Sequence, residues 1–188
     1  MSSERRGWLA AGGVLGPAVF ITTWVVLGAR TAGYSARREP VSRLAGVDAP
    51  TRRAMTAGFL AFSAGVGLYA TELRRSMPGA AVAAATTAVA TVGIAATPVG
   101  GPRGQRPHAA TAVVAYLSLA ATPLLGGGAL ARSGRPTAAA LSRVMGLISG
   151  ASLLTHMFVH RARGLTQRLG LTVGHTWIMA SALGLLRK

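Results

Sequence analysis

The sequence lacks cysteine and has few acidic residues, and both features limit the chemistry that the protein can perform. The 188-residue chain has no cysteine, which excludes disulfide bonds and thiol chemistry. It has four acidic residues, Glu4, Glu39, Asp48 and Glu72, and none of them lies in the middle of an apolar run. A Ser-His-Asp catalytic set and an Asp-rich site for a metal-bound diphosphate are therefore not expected. A Gly-rich phosphate loop that ends in Lys and Ser or Thr is also missing, which argues against ATP-driven transport.

Charged residues as a whole are few and unevenly spread. They make up 13% of the chain, against about 25% in a typical soluble domain, while 51% of the residues are hydrophobic. The net charge is +16 at pH 7, but the cations occur in short clusters between long uncharged runs, without a basic face that carries aromatic stacking residues. This distribution is typical of an integral membrane protein and argues against nucleic-acid binding.

Six apolar runs are each long enough to cross a bilayer, which takes about 20 mostly apolar residues in a helix. The first run is too long for the core of a signal peptide, so we expect it to be retained as a span. The prediction is one all-α domain, an integral membrane bundle of six transmembrane helices over residues 8–29, 54–71, 77–98, 107–131, 137–159 and 169–186.

Three of the runs carry pairs of small residues one helical turn apart. Small residues let helix backbones approach closely in lipid, where no hydrophobic effect drives helices together. We expect these pairs to pack helices inside the bundle, and they also offer faces through which an oligomer could form. The pairs are Gly12 and Gly16, Ala61 and Gly65, and Gly146 and Gly150.

Six spans place both termini on one side of the membrane, together with loops 2 and 4. Loops 1, 3 and 5 (residues 30–53, 99–106 and 160–168) lie on the opposite side, which we call the odd pole. The termini side holds nine cations, Arg5, Arg6, Arg74, Arg75, Arg132, Arg135, Arg143, Arg187 and Lys188. The odd pole holds eleven, Arg30, Arg37, Arg38, Arg43, Arg52, Arg53, Arg103, Arg106, Arg161, Arg163 and Arg168.

These counts do not set the orientation by themselves, because the positive-inside rule needs a clear excess on one side. Without the six cations of loop 1 the odd pole keeps five, against nine on the termini side. We therefore expect a cell-membrane protein with both termini in the cytoplasm.

Loop 1 is long and polar for a connection between neighbouring spans. It runs over 24 residues (30–53), whereas such connections usually have about 2–8. Its central stretch GYSARREPVSRLAG contains Pro40 and Gly46 to shape turns and Tyr34 to anchor it at the membrane interface. We expect this stretch to cap the opening of the bundle at the odd pole. A plain connecting loop is the alternative.

The four histidines all fall in the half of the bundle near the odd pole. His108 begins the fourth run, His156 and His160 close the fifth at a spacing that places both on one helix face, and His175 lies inside the sixth. One interpretation is acid/base catalysis by His108, His175 or Tyr34. A second is haem or metal binding, with His156 and His160 as the metal candidates. A third is purely structural hydrogen bonding. No acidic residue lies near these histidines, so neither a metal nor a cofactor is predicted.

A group of polar residues near the odd pole forms the expected substrate-binding set. Arg168 can bind a phosphate or carboxylate in a bidentate manner, and the N-termini of spans 2, 4 and 6 add positive potential on the same side. The expected ligand is the anionic head of a lipid or isoprenoid; the alternative is ordinary contact with anionic membrane lipid. The predicted binding residues are Arg168, Gln167, Arg43, Ser35, Ser42 and Trp177.

The order of several short motifs resembles a known membrane family. The motifs are Gly33-Tyr34-Ser35 and Ser42-Arg43-Leu44-Ala45-Gly46 after the first run, Arg53-x-Met55-x-x-Gly58-Phe59 at the second, Pro98 and His108 before the fourth, and Gly164-Leu165-x-Gln167-Arg168 with Trp177 at the sixth. Together they are similar to the family catalogued as domain of unknown function 998. The resemblance covers nearly the whole chain and implies a six-helix architecture, but no reaction.

One departure from this family concerns loop 3. Members often have an Asp shortly after the loop 3 proline, whereas Pro98-Val99-Gly100-Gly101 supplies none. The resemblance therefore does not carry over any activity that depends on this carboxylate.

The leading functional interpretation is an enzyme that performs acid/base chemistry on an amphipathic lipid or isoprenoid at the odd pole. The alternative is a non-catalytic scaffold, accessory subunit or small transporter, for which Glu72 is the available proton-carrying carboxylate. A haem- or metal-binding membrane protein is the second alternative. Expected partners are membrane lipid, an amphipathic small molecule and further copies of the chain, but not nucleic acid.

Overall fold

Six long helices dominate the computed structural model, which describes residues 3–101 and 105–187. They are α1 (Ser3–Arg30), α2 (Arg52–Leu73), α3 (Pro78–Ala96), α4 (Gln105–Arg132), α5 (Pro136–Phe158) and α6 (Arg163–Leu186). Two short 3-10 helices, Val41–Ala45 and His160–Ala162, lie in loops 1 and 5. All six long helices have the length and composition to cross a membrane, and the described residues contain no β-strand. The predicted all-α, six-helix fold is confirmed.

The helices form a closed ring in chain order. Each helix packs against the next, and α6 returns to pack against α1. α6 also contacts α2 and α4 across the ring. Large apolar side chains on the outside of the ring, such as Val89, Leu147 and Phe158, are exposed. An outward-facing apolar surface of this kind is what a lipid environment requires.

The pairs of small residues place two helices in direct backbone contact. A Cβ atom added to Gly12 of α1 would lie 2.5 Å from the carbonyl oxygen of Gly65 in α2, and one added to Gly65 would lie 2.8 Å from the Cα of Gly16. Gly146 of α5 similarly packs against Leu124 of α4. The predicted close packing is thus confirmed at these positions, which serve contacts within the chain. The prediction of an oligomer stays a prediction.

The helix boundaries differ from the sequence prediction by up to six residues, and the boundaries of α5 and α6 at the odd pole bear on the site. α6 begins at Arg163, six residues before the predicted start at residue 169, because the polar segment that precedes the apolar run continues the helix with Gln167 and Arg168 buried. α5 ends at Phe158, and His160 lies in a separate 3-10 turn. The prediction that His156 and His160 share one helix face is therefore wrong. Arg103 and Lys188, which we counted among the cations of the two poles, lie outside the described residues.

Candidate functional site

Loop 1 folds over the odd pole of the bundle as a cap, which we define as residues 31–51. Val41 and Leu44 of its 3-10 helix are buried, and this helix contacts α1, α2 and α6. The backbone N–H of Val47 donates to the carbonyl of Val99 in loop 3 at 3.0 Å. The N–H of Leu165 at the start of α6 donates to the carbonyl of Arg37 at 3.0 Å. The cap is therefore anchored to the helices and is not a plain connecting loop.

Arg168 of α6 anchors the cap through hydrogen bonds to its backbone. Its Nη1 donates to the carbonyl oxygens of Ala36 at 2.6 Å, Glu39 at 2.9 Å and Gly164 at 3.0 Å. Two of these carbonyls belong to the cap and the third to the first turn of α6. The side chain is 8% exposed, and no carboxylate of the described residues forms a salt bridge with it. Carbonyl dipoles therefore stabilise a buried guanidinium, which makes Arg168 an anchor for the cap.

Two aromatic rings complete the surroundings of this guanidinium. It lies over the ring of Trp24 at 5.1 Å and over that of Tyr34 at 5.6 Å, in cation–π geometry. Nη2 of Arg168 also donates to the hydroxyl of Tyr34. The Tyr34 hydroxyl in turn faces the carbonyls of Glu39 and Pro40 at 3.3 and 3.2 Å. Burial raises the pKa of Tyr34, although the positive charge of Arg168 acts in the opposite direction.

A cavity of about 40 Å³ lies beneath the cap, inside the ring of helices. This volume is enough to hold water or a small chemical group. Much of the wall is apolar, with Phe20 of α1 and Phe59 and Phe62 of α2 among its residues. The polar side chains on it come from the cap, α3, α4 and α6. They are Ser42, Thr87, Thr91, His108, Tyr116, Gln167 and His175. The structure thus brings together four of the predicted site residues, His108, His175, Gln167 and Ser42.

His175 is the most deeply placed ionisable side chain of this cavity. It lies twelve residues after the start of α6, about 18 Å along the helix at 1.5 Å per residue. It is 1% exposed, and its ring packs against Phe62 at 4.8 Å and Phe20 at 5.6 Å between centroids. Nδ1 has no hydrogen-bond partner among the described residues. An unpaired buried polar atom costs about 1–3 kcal/mol, so this histidine is not explained by packing alone.

His108 differs from His175 because its Nδ1 has a hydrogen-bond partner. Nδ1 lies 2.7 Å from the carbonyl oxygen of Thr97. A carbonyl only accepts, so Nδ1 must carry the hydrogen, and in the neutral ring Nε2 is then an unprotonated base. His156 is held in the same way by the carbonyl of Arg163 at 2.9 Å. His160 is exposed, and the described residues contain no group of three His, Cys, Asp or Glu that could hold a metal ion.

Gln167 connects the cap to the wall of the cavity. Its Oε1 accepts from the backbone N–H of Val41 at 2.7 Å, and its Nε2 donates to the hydroxyl oxygen of Tyr116 at 2.5 Å. Tyr116 is not among the site residues predicted from the sequence. The available signal was its position two helical turns after His108 on α4, with Ala112 between them.

A second, more open space adjoins the cavity on its outer side. This vestibule, a groove of about 560 Å³, lies between the cap, the first turns of α4 and the junction of α5 and α6. Charged side chains of Glu39, Arg43 and Arg163 line it. Four residues border both the vestibule and the cavity: Ser42, His108, Ala112 and Tyr116. These four residues form the boundary between the two spaces, which we call the constriction.

The remaining predicted residues lie elsewhere. Ser35 lies in a turn of the cap, where its N–H donates to Oε2 of Glu39 at 2.7 Å. Trp177 donates from Nε1 to Oγ of Ser142 in α5 at 2.8 Å, and it lines a groove near the termini side together with Arg135. The structure therefore separates Trp177 from the cavity beneath the cap.

Glu72, the carboxylate considered for proton transport, is buried at the opposite end of the bundle. Its oxygens lie 2.9 Å from Nε of Arg6 and 3.3 Å from Nε of Arg75. These two ion pairs hold the carboxylate at this end of the bundle. It joins the start of α1 to the end of α2.

The fold and site together define a six-helix integral membrane protein with a capped internal cavity. Residues 14–184 match the family described as Protein of unknown function (DUF998). The chain belongs to this family, as its motifs suggested. Neither a curated protein nor a solved structure matches it.

Proposed function

We propose that the protein is a membrane enzyme that binds a lipid or isoprenoid molecule at the capped cavity and catalyses acid/base chemistry on it. The observation that carries this proposal is the convergence of His108 and His175 on one cavity beneath an anchored cap. His108 has a hydrogen-bonded Nδ1, while Nδ1 of the buried His175 has no partner. Proton transfer by a positioned histidine typically contributes a 10²–10⁴-fold rate enhancement.

In this mechanism His108 is the base. The Thr97 carbonyl fixes its tautomer, which leaves Nε2 to accept a proton from the ligand. His175 lies deeper on the wall of the same cavity and exchanges a proton with a ligand group that reaches it. The aromatic walls of Phe20, Phe59 and Phe62 limit the access of water, which strengthens polar interactions inside the site. Arg168 acts indirectly, because it holds the cap in place.

A membrane-derived ligand fits the position of the site. The cavity lies at the odd-pole end of helices whose outer surfaces are apolar, so the site is close to molecules dissolved in the bilayer. Its walls are mostly apolar, with a few converging polar groups, which is the usual character of a small-molecule site.

The test is native mass spectrometry of the protein extracted in mild detergent, comparing wild type with His108→Gln, His175→Phe and the exposed control His160→Gln. The enzyme proposal expects wild type and His160→Gln to retain a product mass, and the two cavity variants to retain a different mass, that of unconverted substrate.

Three outcomes would contradict the proposal in different ways. The same ligand mass in all four proteins would indicate a non-catalytic binding or transport protein. No retained mass in any of them would remove the cavity as a ligand site and favour a scaffold. A retained haem or metal would indicate the second alternative, with the histidines as ligands.

A further inference from the structure

The hydrogen bonds of Gln167 determine the direction in which Tyr116 can donate. The backbone N–H of Val41 can only donate, so the side-chain oxygen of Gln167 must face it. The amide nitrogen of Gln167 then faces Tyr116, and the tyrosine oxygen is the acceptor of that bond. The hydroxyl hydrogen of Tyr116 must point to another group. No other hydrogen bond of this hydroxyl exists among residues 3–101 and 105–187.

This free donor lies at the constriction between the vestibule and the cavity. Tyr116 and His108 border both spaces. Tyr116 offers an O–H hydrogen, and neutral His108 offers the lone pair of Nε2. An alcohol is both a donor and an acceptor, so its hydroxyl group matches the hydrogen-bonding chemistry of both side chains. A carbonyl or an ether can use the tyrosine alone.

The charges on the two sides of the constriction differ. The vestibule has Arg43, Arg163 and Glu39 on its walls, whereas the described residues of the cavity wall include no arginine or lysine. Transfer of a phosphate or carboxylate past Tyr116 would bury a charge without an arginine or lysine partner, which is strongly unfavourable. The cavity volume of about 40 Å³ also admits only a slender group.

We propose that the ligand is a single-chain alcohol that enters sideways through the vestibule, and that its hydroxyl is bound at the constriction by Tyr116 as donor and His108 as acceptor. This inference rests on the proposed function and specifies its substrate class. It replaces the anionic head group expected from the sequence with an uncharged one, because Arg168 is engaged by the cap.

The experiment uses the full-length protein in phosphatidylcholine nanodiscs and three probes: farnesol, farnesyl methyl ether and farnesyl phosphate. We expect farnesol to bind at least about tenfold more tightly than farnesyl phosphate, because the phosphate charge has no partner in the cavity. The ether accepts but cannot donate, so it should bind about fivefold more weakly than farnesol.

The matched variants are Tyr116→Phe and Tyr69→Phe. Tyr116→Phe keeps the ring and removes the donor, so farnesol affinity should fall about fivefold. Tyr69→Phe makes the same change at a buried tyrosine of α2 that bonds to Ser181 and lies outside the cavity wall, so farnesol affinity should not change. Size-exclusion chromatography and thermal unfolding establish that both variants are folded.

The route of entrance can be tested separately because the chain has no native cysteine. Ala112→Cys places a thiol at the constriction, and Ser133→Cys places one in the groove near the termini side. Farnesol should slow the reaction of Ala112→Cys with N-ethylmaleimide and leave that of Ser133→Cys unchanged. This measurement does not depend on the folding of the tyrosine variants.

The outcomes separate this inference from the proposed function. Tighter binding of farnesyl phosphate, or an unchanged farnesol affinity in Tyr116→Phe, would overturn the alcohol assignment while the cavity remained a ligand site. Equal protection of both cysteines would overturn the sideways entrance. Failure of all three probes to bind wild type would overturn the alcohol inference, and the proposed function would then depend on the mass-spectrometry result.

Discussion

The side-chain oxygen of Gln167 lies 2.7 Å from the backbone nitrogen of Val41, 126 residues away in the sequence. This bond joins α6 to the cap, and both residues are buried. The same side chain binds Tyr116 of α4. One amide thus ties together three parts of the chain that meet around the cavity. The position of the cap and the shape of the cavity are therefore coupled.

Gln167→Leu should loosen the cap. The change leaves the Val41 N–H and the Tyr116 hydroxyl without their partner, so the free energy of unfolding should fall by about 1–3 kcal/mol. Hydrogen exchange of the cap peptide around Val41 should become faster. The control is Gln105→Leu at an exposed position on α4, for which exchange of the cap should not change. Equal exchange rates in wild type and Gln167→Leu would show that other contacts hold the cap.

Arg168→Lys should fail to replace the arginine although it keeps the positive charge. Nη1 of Arg168 serves three carbonyls and Nη2 serves Tyr34, a planar arrangement that an ammonium group does not reproduce. We expect a loss of about 2–4 kcal/mol in the free energy of unfolding, measured by denaturation in detergent. Arg38→Ala, at an exposed position in the cap, should change it little. Full stability of Arg168→Lys would show that charge alone is sufficient.

The fold was predictable because lipid imposes a simple rule on sequence. Six apolar runs separated by cationic clusters predicted the six helices, and the small-residue pairs Gly12/Gly16 and Ala61/Gly65 predicted close helix packing. The start of α6 was not predictable from hydropathy. Gln167 and Arg168 are polar, yet both are buried because the cap supplies their partners. Such partners come from distant segments of the chain, and a local pattern does not reveal them.

The site was predictable only in part for the same reason. His108, His175, Gln167 and Ser42 were identified from polarity at the odd pole, and they do share the cavity. Trp177 was assigned from a motif, but its distance along α6 places it near the termini side. Tyr116 carries no charge and lies in an apolar run, so its helical spacing from His108 was the one signal in the sequence, and its bond to Gln167 is seen only in the structure.

Gly12→Ala should weaken the contact between α1 and α2. The added methyl group would lie 2.5 Å from the carbonyl oxygen of Gly65, so the helices must move apart. Overpacking of this kind costs about 1–3 kcal/mol, which a detergent unfolding curve would show. The matched control is Gly67→Ala, because an added Cβ there meets no atom within 4 Å. Comparable losses in both variants would indicate that backbone freedom, rather than close packing, is the reason for glycine at position 12.

Tyr34 should make the stability of the protein sensitive to high pH. Burial raises the pKa of Tyr34 in the folded state above 10.0, so the folded protein holds this proton more tightly than the unfolded chain does. The contribution of Tyr34 to the free energy of unfolding is then fully present below pH 10 and is lost as the pH rises through the pKa of the folded state. Unfolding measured across this range should show a decline in wild type that is reduced in Tyr34→Phe. Identical profiles would show that Tyr34 does not titrate on unfolding.

His175→Phe should leave the protein as stable as wild type, or more stable by about 1 kcal/mol, because it removes a buried polar ring whose Nδ1 is unpaired. The new ring would pack against Phe20 and Phe62, which already surround the position.

If His175 is retained for proton transfer, the His175→Phe variant should no longer convert the bound ligand. A more stable but inactive protein is the expected signature of a residue kept for chemistry at a cost in stability. The measurements are detergent unfolding and the mass of the retained ligand. A less stable variant with unchanged ligand conversion would instead assign His175 a structural role in the core.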